Sequence, residues 1–325
     1  MNVKPLSAPP AAKLTKQEQR KKDLQKLLHR IYNARQLYLI ILIPFIYVII
    51  FNYVPMYGVQ IAFRKYNPML GISHSPWVGL ANFTRFFGVY NCWRIIINTL
   101  TLSVYGLLAG LPVAVILALG LNSLRSQAYK KTIQMVTYAP YFLSVVVLVG
   151  LLTQVLSPQY GLVNRFLELL GMESIDFMGS ASMFPHIYVW SGVWQGAGYS
   201  SIIYLATLSS VDPELHEAAR IDGANMWQRI WHIDLPGIAQ TIIVLLILDM
   251  GKVLSVGFEK VYLMQKPLNL QTSEIVSTYV YKVGLTGTAD LSYGAAVGLF
   301  QSLVGLVLVV TVNQISRKVS ETSLW

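Results

Sequence analysis

The chain has 325 residues, 54% of them hydrophobic and 12% charged, with a mean hydropathy of +0.51 and a formal net charge of +10. Soluble domains carry about a quarter charged residues, so half that fraction excludes an ordinary soluble enzyme and points to a membrane class. The single cysteine, Cys92, excludes an internal disulfide framework and any cysteine-based metal cluster.

Nine of the 25 Lys/Arg precede residue 37, ahead of the first apolar run, so the positive charge reads as membrane topology and not as a nucleic-acid footprint. Residues 1–36 are polar and basic, without the short apolar core of a cleaved signal peptide. Within this tail "PLSAPPAA" has the composition of a segment without fixed structure. Lys13–Tyr32 reads as a basic, partly amphipathic helix suited to the anionic inner leaflet, with a polar tail lacking fixed structure as the other reading.

A helix needs about 20 largely apolar residues to cross the hydrocarbon core. Six segments qualify: 37–57, 95–121, 133–156, 183–208, 237–257 and 292–314. The fourth is diluted by Gly, Ser, His and Gln, but its length is right and its flanks are polar. The expected fold is therefore an all-α polytopic membrane protein with about six transmembrane helices. With the N-terminus inside, sixteen Lys/Arg fall on the cytoplasmic side and eight outside. Both termini are then cytoplasmic, and the outer loops are about 58–94, 157–182 and 258–291.

The cytoplasmic segment between spans 4 and 5, residues 211–236, is unusually well punctuated. Asp212 is placed to cap a helix whose first residue is Pro213, which has no amide hydrogen to leave unpaired. Glu214 and Glu217 sit near the positive end of the helix dipole. Gly223 suits the position after the helix end, where a left-handed conformation is cheap only for glycine. A second short helix from about Ala224 carries Met226, Trp227, Ile230 and Trp231 on one face, and Pro236 is expected to end it. The physics predicts a helix–bend–helix projection, with Ala218 and Ala219 as a side-chain-poor patch among Glu217, Arg220 and Asp222. A plain well-capped hairpin is the other reading. "HEAAR" begins like the zinc-protease pattern H-E-x-x-H, but Arg220 stands where the second histidine would be, so no metal site is expected.

Glu217-Ala218-Ala219, Asp222-Gly223-Ala224 and Ile233-Asp234-Leu235-Pro236, in this order and spacing, resemble the EAA loop of membrane permease subunits of binding-protein-dependent ABC importers. Further stretches ("YVPMYGVQIAFRKYNP", "WVGLANFTRFF", "VGFEKVYLMQKPL" and the terminal "ETSLW") are similar to the branch that takes up complex oligosaccharides and polysaccharide fragments, among them pectin-, alginate- and maltose-type permeases. The resemblance covers nearly the whole chain beyond its first ~35 residues, a six-span permease domain of residues 37–325. It implies a coupling helix that docks on a cytoplasmic ATPase dimer, through Glu217, Ala218, Ala219 and Gly223, with Arg220 and Asp222 supplying charge beside them. It implies as partners a second, non-identical permease subunit, an extracytoplasmic solute-binding protein, a saccharide and the lipid bilayer, with no nucleic acid. ATP and Mg would be bound by the partner ATPase, no cofactor by this chain, and the site of action would be the bacterial cytoplasmic (inner) membrane.

Polar residues inside spans are costly and are functional candidates by default. The fourth span offers Tyr188, Trp190, Trp194, Gln195 and Tyr199, with glycines between them, a mixture suited to stacking on sugar rings and bonding hydroxyls; interfacial aromatic belts are the alternative for the rings. The fifth span carries Asp249 and Lys252 at i, i+3, read either as an internal ion pair or as a cation facing an acidic sugar. Asn98, Gln301 and Asn313 either line the path or bond between helices. Three G-x-x-x-G patterns, Gly106–Gly110, Gly192–Gly196 and Gly294–Gly298, are expected to allow close helix approach.

Two other classes compete. An ion-coupled secondary sugar transporter usually shows repeated halves and buried acidic relays, and only Asp249 lies well inside a span. A membrane-embedded enzyme would need a nucleophile motif or histidines at metal spacing, and neither is visible among His29, His74, His186, His216 and His232. Nothing resembles G-x-x-x-x-G-K-[ST], so this chain is expected to be a transport subunit and not an enzyme.

Overall fold

The computed structural model describes residues 25–26, 29–30, 32–251, 253–254, 256–287 and 289–320. Most of Lys13–Tyr32, Lys252 and the terminal "ETSLW" lie outside these residues. The chain divides into two compact units, residues 1–59 and 60–325.

In the first unit, helix α1 (Arg35–Val48) runs on through a π turn (Ile49–Tyr53) into Val54–Met56. Pro55 has no amide hydrogen for a regular helical bond, and the wider turn just before it absorbs the mismatch, the Val54 amide reaching back to Ile49 O.

The second unit is all helix and loop among the described residues, apart from one isolated bridge between Arg64 and Trp77. Helix α2 (Cys92–Ser123) is its long central rod. Helix α3 (Gln127–Tyr138) then leads through a 3-10 turn (Ala139–Phe142) into α4 (Val145–Val155). The expected third span, 133–156, is thus not one straight helix: its two parts meet at a bend of 100°. Pro140 stands in the 3-10 turn, and the Ser144 hydroxyl accepts from the Val147 amide at 3.3 Å, starting α4 as a newly capped helix.

Helix α5 (Phe184–Leu208) packs along α2 and also touches α3. After the projecting pair α6 (Pro213–Ile221) and α7 (Met226–Arg229) comes a π turn, Ile230–Asp234, and then α8 (Leu235–Met250). Pro236 therefore does not end the second short helix. The π turn widens the coil where the proline lacks its amide, the Leu235 amide bonds to Ile230 O, and α7 continues into the fifth span. Helices α9 (Phe258–Met264) and α10 (Val276–Tyr281) belong to the predicted third outer loop, and α11 (Leu291–Ser320) closes the bundle against α8.

By length and composition four helices among the described residues are apolar enough to cross a membrane, or five if the bent pair counts as one span. The fourth predicted span is a continuous helix of 25 residues, long enough at about 1.5 Å per residue, but its polar content keeps it out of that set. Two apolar clusters mark the ends of the bundle. One joins Leu102, Phe184, Val261, Met264 and Ile275; the other joins Ala114, Ala118, Tyr204, Leu208 and Ile238.

Candidate functional site

Two sites are built on α5, one beyond its C-terminal end and one along its length. Beyond its C-terminal end is the projection. The Asp212 carboxylate accepts from the Glu214 amide at 2.9 Å, and Pro213 opens α6. At the other end of α6 the Ala224 amide bonds to Ala219 O at 2.8 Å and the Gly223 amide to Arg220 O at 3.1 Å, with Gly223 at φ +78°. That is a Schellman closure, with glycine where the left-handed conformation is needed. Asn225 and Gln228 then form a reciprocal capping box, at 2.7 and 2.9 Å, that starts α7 at once. Only Gly223 and Ala224 stand between the two cap residues, Asp222 and Asn225, so the pair is stiff.

Glu217, Ala218, Arg220, Asp222 and Gly223 are exposed on this projection, and Ala219 is half-buried. Two apolar residues overlooked in the sequence stand beside them, Ile221 at 86% exposed and Leu215 at 53%. Trp227 and Trp231 are exposed while Ile230 turns inward. Behind α6 a cavity of about 490 Å³ is lined by Asn122, His216, Glu217, Arg220, Arg229 and Asp234, among others. Its floor is a polar tie. His216 Nε2 lies 3.4 Å from Asp234 Oδ1, and Asn122 Nδ2 donates to the same oxygen at 3.2 Å. Three elements, α6, the end of α2 and the root of α8, are joined through one buried carboxylate.

The second site is a cavity of about 520 Å³ between α2, α5 and α8. Tyr188, Gln195, Tyr199 and Asp249 line it together. Trp190 and Trp194 lie instead along an apolar groove with Leu148, Leu151, Leu152 and Val155 of α4. The Trp190 indole donates to Tyr105 Oη at 2.9 Å. Gln195 Nε2 donates to Leu143 O at 2.9 Å, at the break of the third span, and Tyr199 stacks on Tyr141 with centroids 3.9 Å apart. These two side chains therefore brace the bend as well as facing the cavity. Asn98 bonds to Gln271 O and Glu274 O, at 2.9 and 3.0 Å, and Gln301 to Leu254 O, so both join separate segments.

The G-x-x-x-G patterns of spans 2 and 4 do something other than expected. Gly106, Gly110, Gly192 and Gly196 line the cavity, and a methyl at Gly106, Gly110 or Gly196 would meet nothing within 4 Å. They make space inside the bundle instead of a helix contact. Close approach occurs at Gly198, where an added methyl would collide with the Thr137 carbonyl, and at Gly294, where it would come 3.1 Å from Gly284 Cα.

Also unforeseen is Lys260 of α9. It is 8% exposed, lines the same cavity, and donates from Nζ to Tyr188 O at 2.8 Å. Burial lowers its ammonium from the usual lysine range to about 8. The sequence places it in an outer loop, and only a contact across 72 positions brings it here.

A bundle of apolar helices with a glycine-walled cavity that carries Tyr188, Gln195, Tyr199, Asp249 and Lys260, and with a rigid helix pair held out beyond the end of α5, defines a multi-pass transport subunit of the membrane. The chain belongs to the family of binding-protein-dependent transport system inner membrane components, whose model matches residues 110–321. It is 42% identical over 314 residues to the polygalacturonan/rhamnogalacturonan transport system permease protein YteP of Bacillus subtilis (strain 168), covering 97% of this chain and 96% of that one. It is likewise 42% identical to the protein LplB of the same organism, over 289 residues, or 89% and 91% of the two chains. Among solved structures it matches a bacterial ABC transporter involved in the import of the acidic polysaccharide alginate, with a TM-score of 0.84 and 39% identity over 91% of this chain and 99% of that one. A bacterial alginate ABC transporter in complex with an alginate pentasaccharide-bound periplasmic protein matches with the same TM-score at 38% identity, covering 92% and 100%.

Proposed function

We propose that this chain is the membrane permease subunit of an ATP-driven importer that carries an oligosaccharide or polysaccharide fragment into the cytoplasm by alternating access. A second, non-identical permease encloses the path with it, an extracytoplasmic solute-binding protein delivers the saccharide, and an ATPase dimer docks on α6 and binds the ATP and Mg. The chain lies in the bacterial inner membrane with both termini in the cytoplasm.

The observation that carries this reading is the tie between His216, Asp234 and Asn122. A helix pushed by a motor transmits force only if it is fixed to the spans that line the path. Here α6 is fixed at once to α2 and α8, and both of these line the cavity. Closure of an ATPase dimer would thus move the walls of the cavity and not merely a loop. In the cavity Tyr188 and Tyr199 offer aromatic faces and phenol groups, the combination that suits sugar rings and their hydroxyls.

The test is purification of the chain with its neighbours and reconstitution into liposomes. ATP-dependent accumulation of a saccharide, lost when Glu217 or Gly223 is replaced, is the expected result. Accumulation driven by a proton or sodium gradient without ATP would overturn it in favour of an ion-coupled secondary sugar transporter.

A further inference from the structure

The buried charge in the cavity has no role in the mechanism just described. A lysine is almost never buried unless its charge is matched, because an unpaired ammonium in an apolar site is strongly disfavoured. Lys260 is only 8% exposed, yet no ion pair to it forms among the described residues. Its ammonium has three N–H groups. One goes to Tyr188 O, and Nζ lies 4.8 Å from the centroid of the Tyr188 ring. The room for the ammonium comes from Gly192, where a methyl would stand 3.2 Å from Nζ. The side chain thus reaches from α9 to α5 and ends on the cavity wall near the first turns of α5. Val261 and Met264, both buried in the apolar cluster of that end, hold α9 in place.

We propose, on the reading of the chain as a saccharide permease, that Lys260 is a specificity-determining residue: its ammonium receives the carboxylate of an acidic sugar unit passing through the cavity, with the Tyr188 ring beside it. A carboxylate would supply the missing counter-charge and accept the N–H groups that Tyr188 O leaves over, as a charge-assisted hydrogen bond. A neutral sugar hydroxyl offers a weaker bond and no counter-charge. The arrangement favours uronate-bearing chains over neutral ones by charge, while stacking and hydroxyl contacts stay common to both.

The experiment uses the complete reconstituted transporter with its binding protein and labelled trigalacturonate as the probe. Lys260→Gln keeps an N–H donor and removes the charge; Lys260→Arg keeps the charge. ATP-driven uptake is expected to fall at least tenfold in Lys260→Gln and to stay within threefold in Lys260→Arg, while the yield and melting temperature of the assembled transporter stay those of wild type in both. Uptake within twofold of wild type in Lys260→Gln overturns the proposal. So does equal loss in both variants, or loss of uptake together with a lowered melting temperature, since each marks a packing role. A wild-type transporter that imports a neutral saccharide but not trigalacturonate overturns this inference and leaves the transport reading standing. One that imports no saccharide with ATP overturns both.

Discussion

His216 on the projecting helix and Asp234 at the root of the next span meet at 3.4 Å, although they are 18 positions apart, and Asn122 of α2 closes on the same oxygen. Removing one partner of such a contact costs about 1 kcal/mol, enough to loosen one end of α6 without unfolding the bundle. His216→Ala is expected to speed amide hydrogen exchange in residues 213–221 about fivefold and to lower the saccharide imported per ATP hydrolysed. Unchanged exchange would show that the Schellman closure alone fixes the helix.

Gly223 isolates a backbone effect. No atom lies within 4 Å of where its Cβ would be, so a substitution there meets only the left-handed backbone, φ +78°. That conformation costs a side-chain-bearing residue about 1–2 kcal/mol, less for Asn. Uptake is expected to rank wild type, Gly223→Asn, Gly223→Ala, with the last about tenfold down. Equal rates for Asn and Ala would mean that the presence of a side chain at Gly223 matters more than the left-handed bend.

The contrast between these two residues shows what the sequence discloses. Gly223, Asp212 and Pro213 act on their own neighbours, and local chemistry places them. The carboxylate of Asp234 acts across three elements, and no spacing rule reports that. The same divide runs through the spans. Their apolar lengths are readable, but the 100° bend is not, because Pro140 and Ser144 also fit a kinked single helix. Glycine pairs signal small volume without saying whether the space is filled by a neighbouring helix or left open. Lys260 is the extreme case, a charge in a loop helix that only tertiary folding brings into the cavity.

Gly196 and Gly198 separate the two uses of glycine on one helix. A methyl at Gly198 collides with the Thr137 backbone, whereas one at Gly196 meets nothing within 4 Å. Overpacking of this kind costs about 1–3 kcal/mol. Gly198→Ala is expected to lower the melting temperature of the detergent-solubilised protein by several degrees, and Gly196→Ala to leave it unchanged. Gly196→Leu is expected to fold but to slow uptake by filling the cavity. Equal melting of the two alanine variants would refute the close approach of α3 and α5.

Ile221 is 86% exposed at the end of α6, and an exposed apolar residue there contributes little to the fold of the isolated subunit. Surface substitutions away from packed features usually change stability by no more than about 0.5 kcal/mol. Ile221→Ser is therefore expected to leave melting unchanged and to reduce the ATPase recovered on co-purification at least fivefold. Full recovery of the ATPase would count against the proposed docking through Ile221.

Lys260 also predicts a pH profile. Burial holds its ammonium at about 8, so it is mostly charged at pH 7 and mostly neutral at pH 9. The other titratable groups lining that cavity, among the described residues, are Tyr188, Tyr199, Tyr204 and Asp249, and Glu259 neighbours Lys260 on α9. A carboxylate partner would favour the charged form and move the midpoint upward. Uptake of trigalacturonate is therefore expected to fall as the outer pH rises through about 8 or somewhat above. Arginine stays charged throughout this range, so Lys260→Arg is expected to lack this fall with the same binding protein. The ratio of the two profiles removes the pH dependence of every other component. Parallel profiles would show that the lysine charge plays no part in uptake of the acidic sugar.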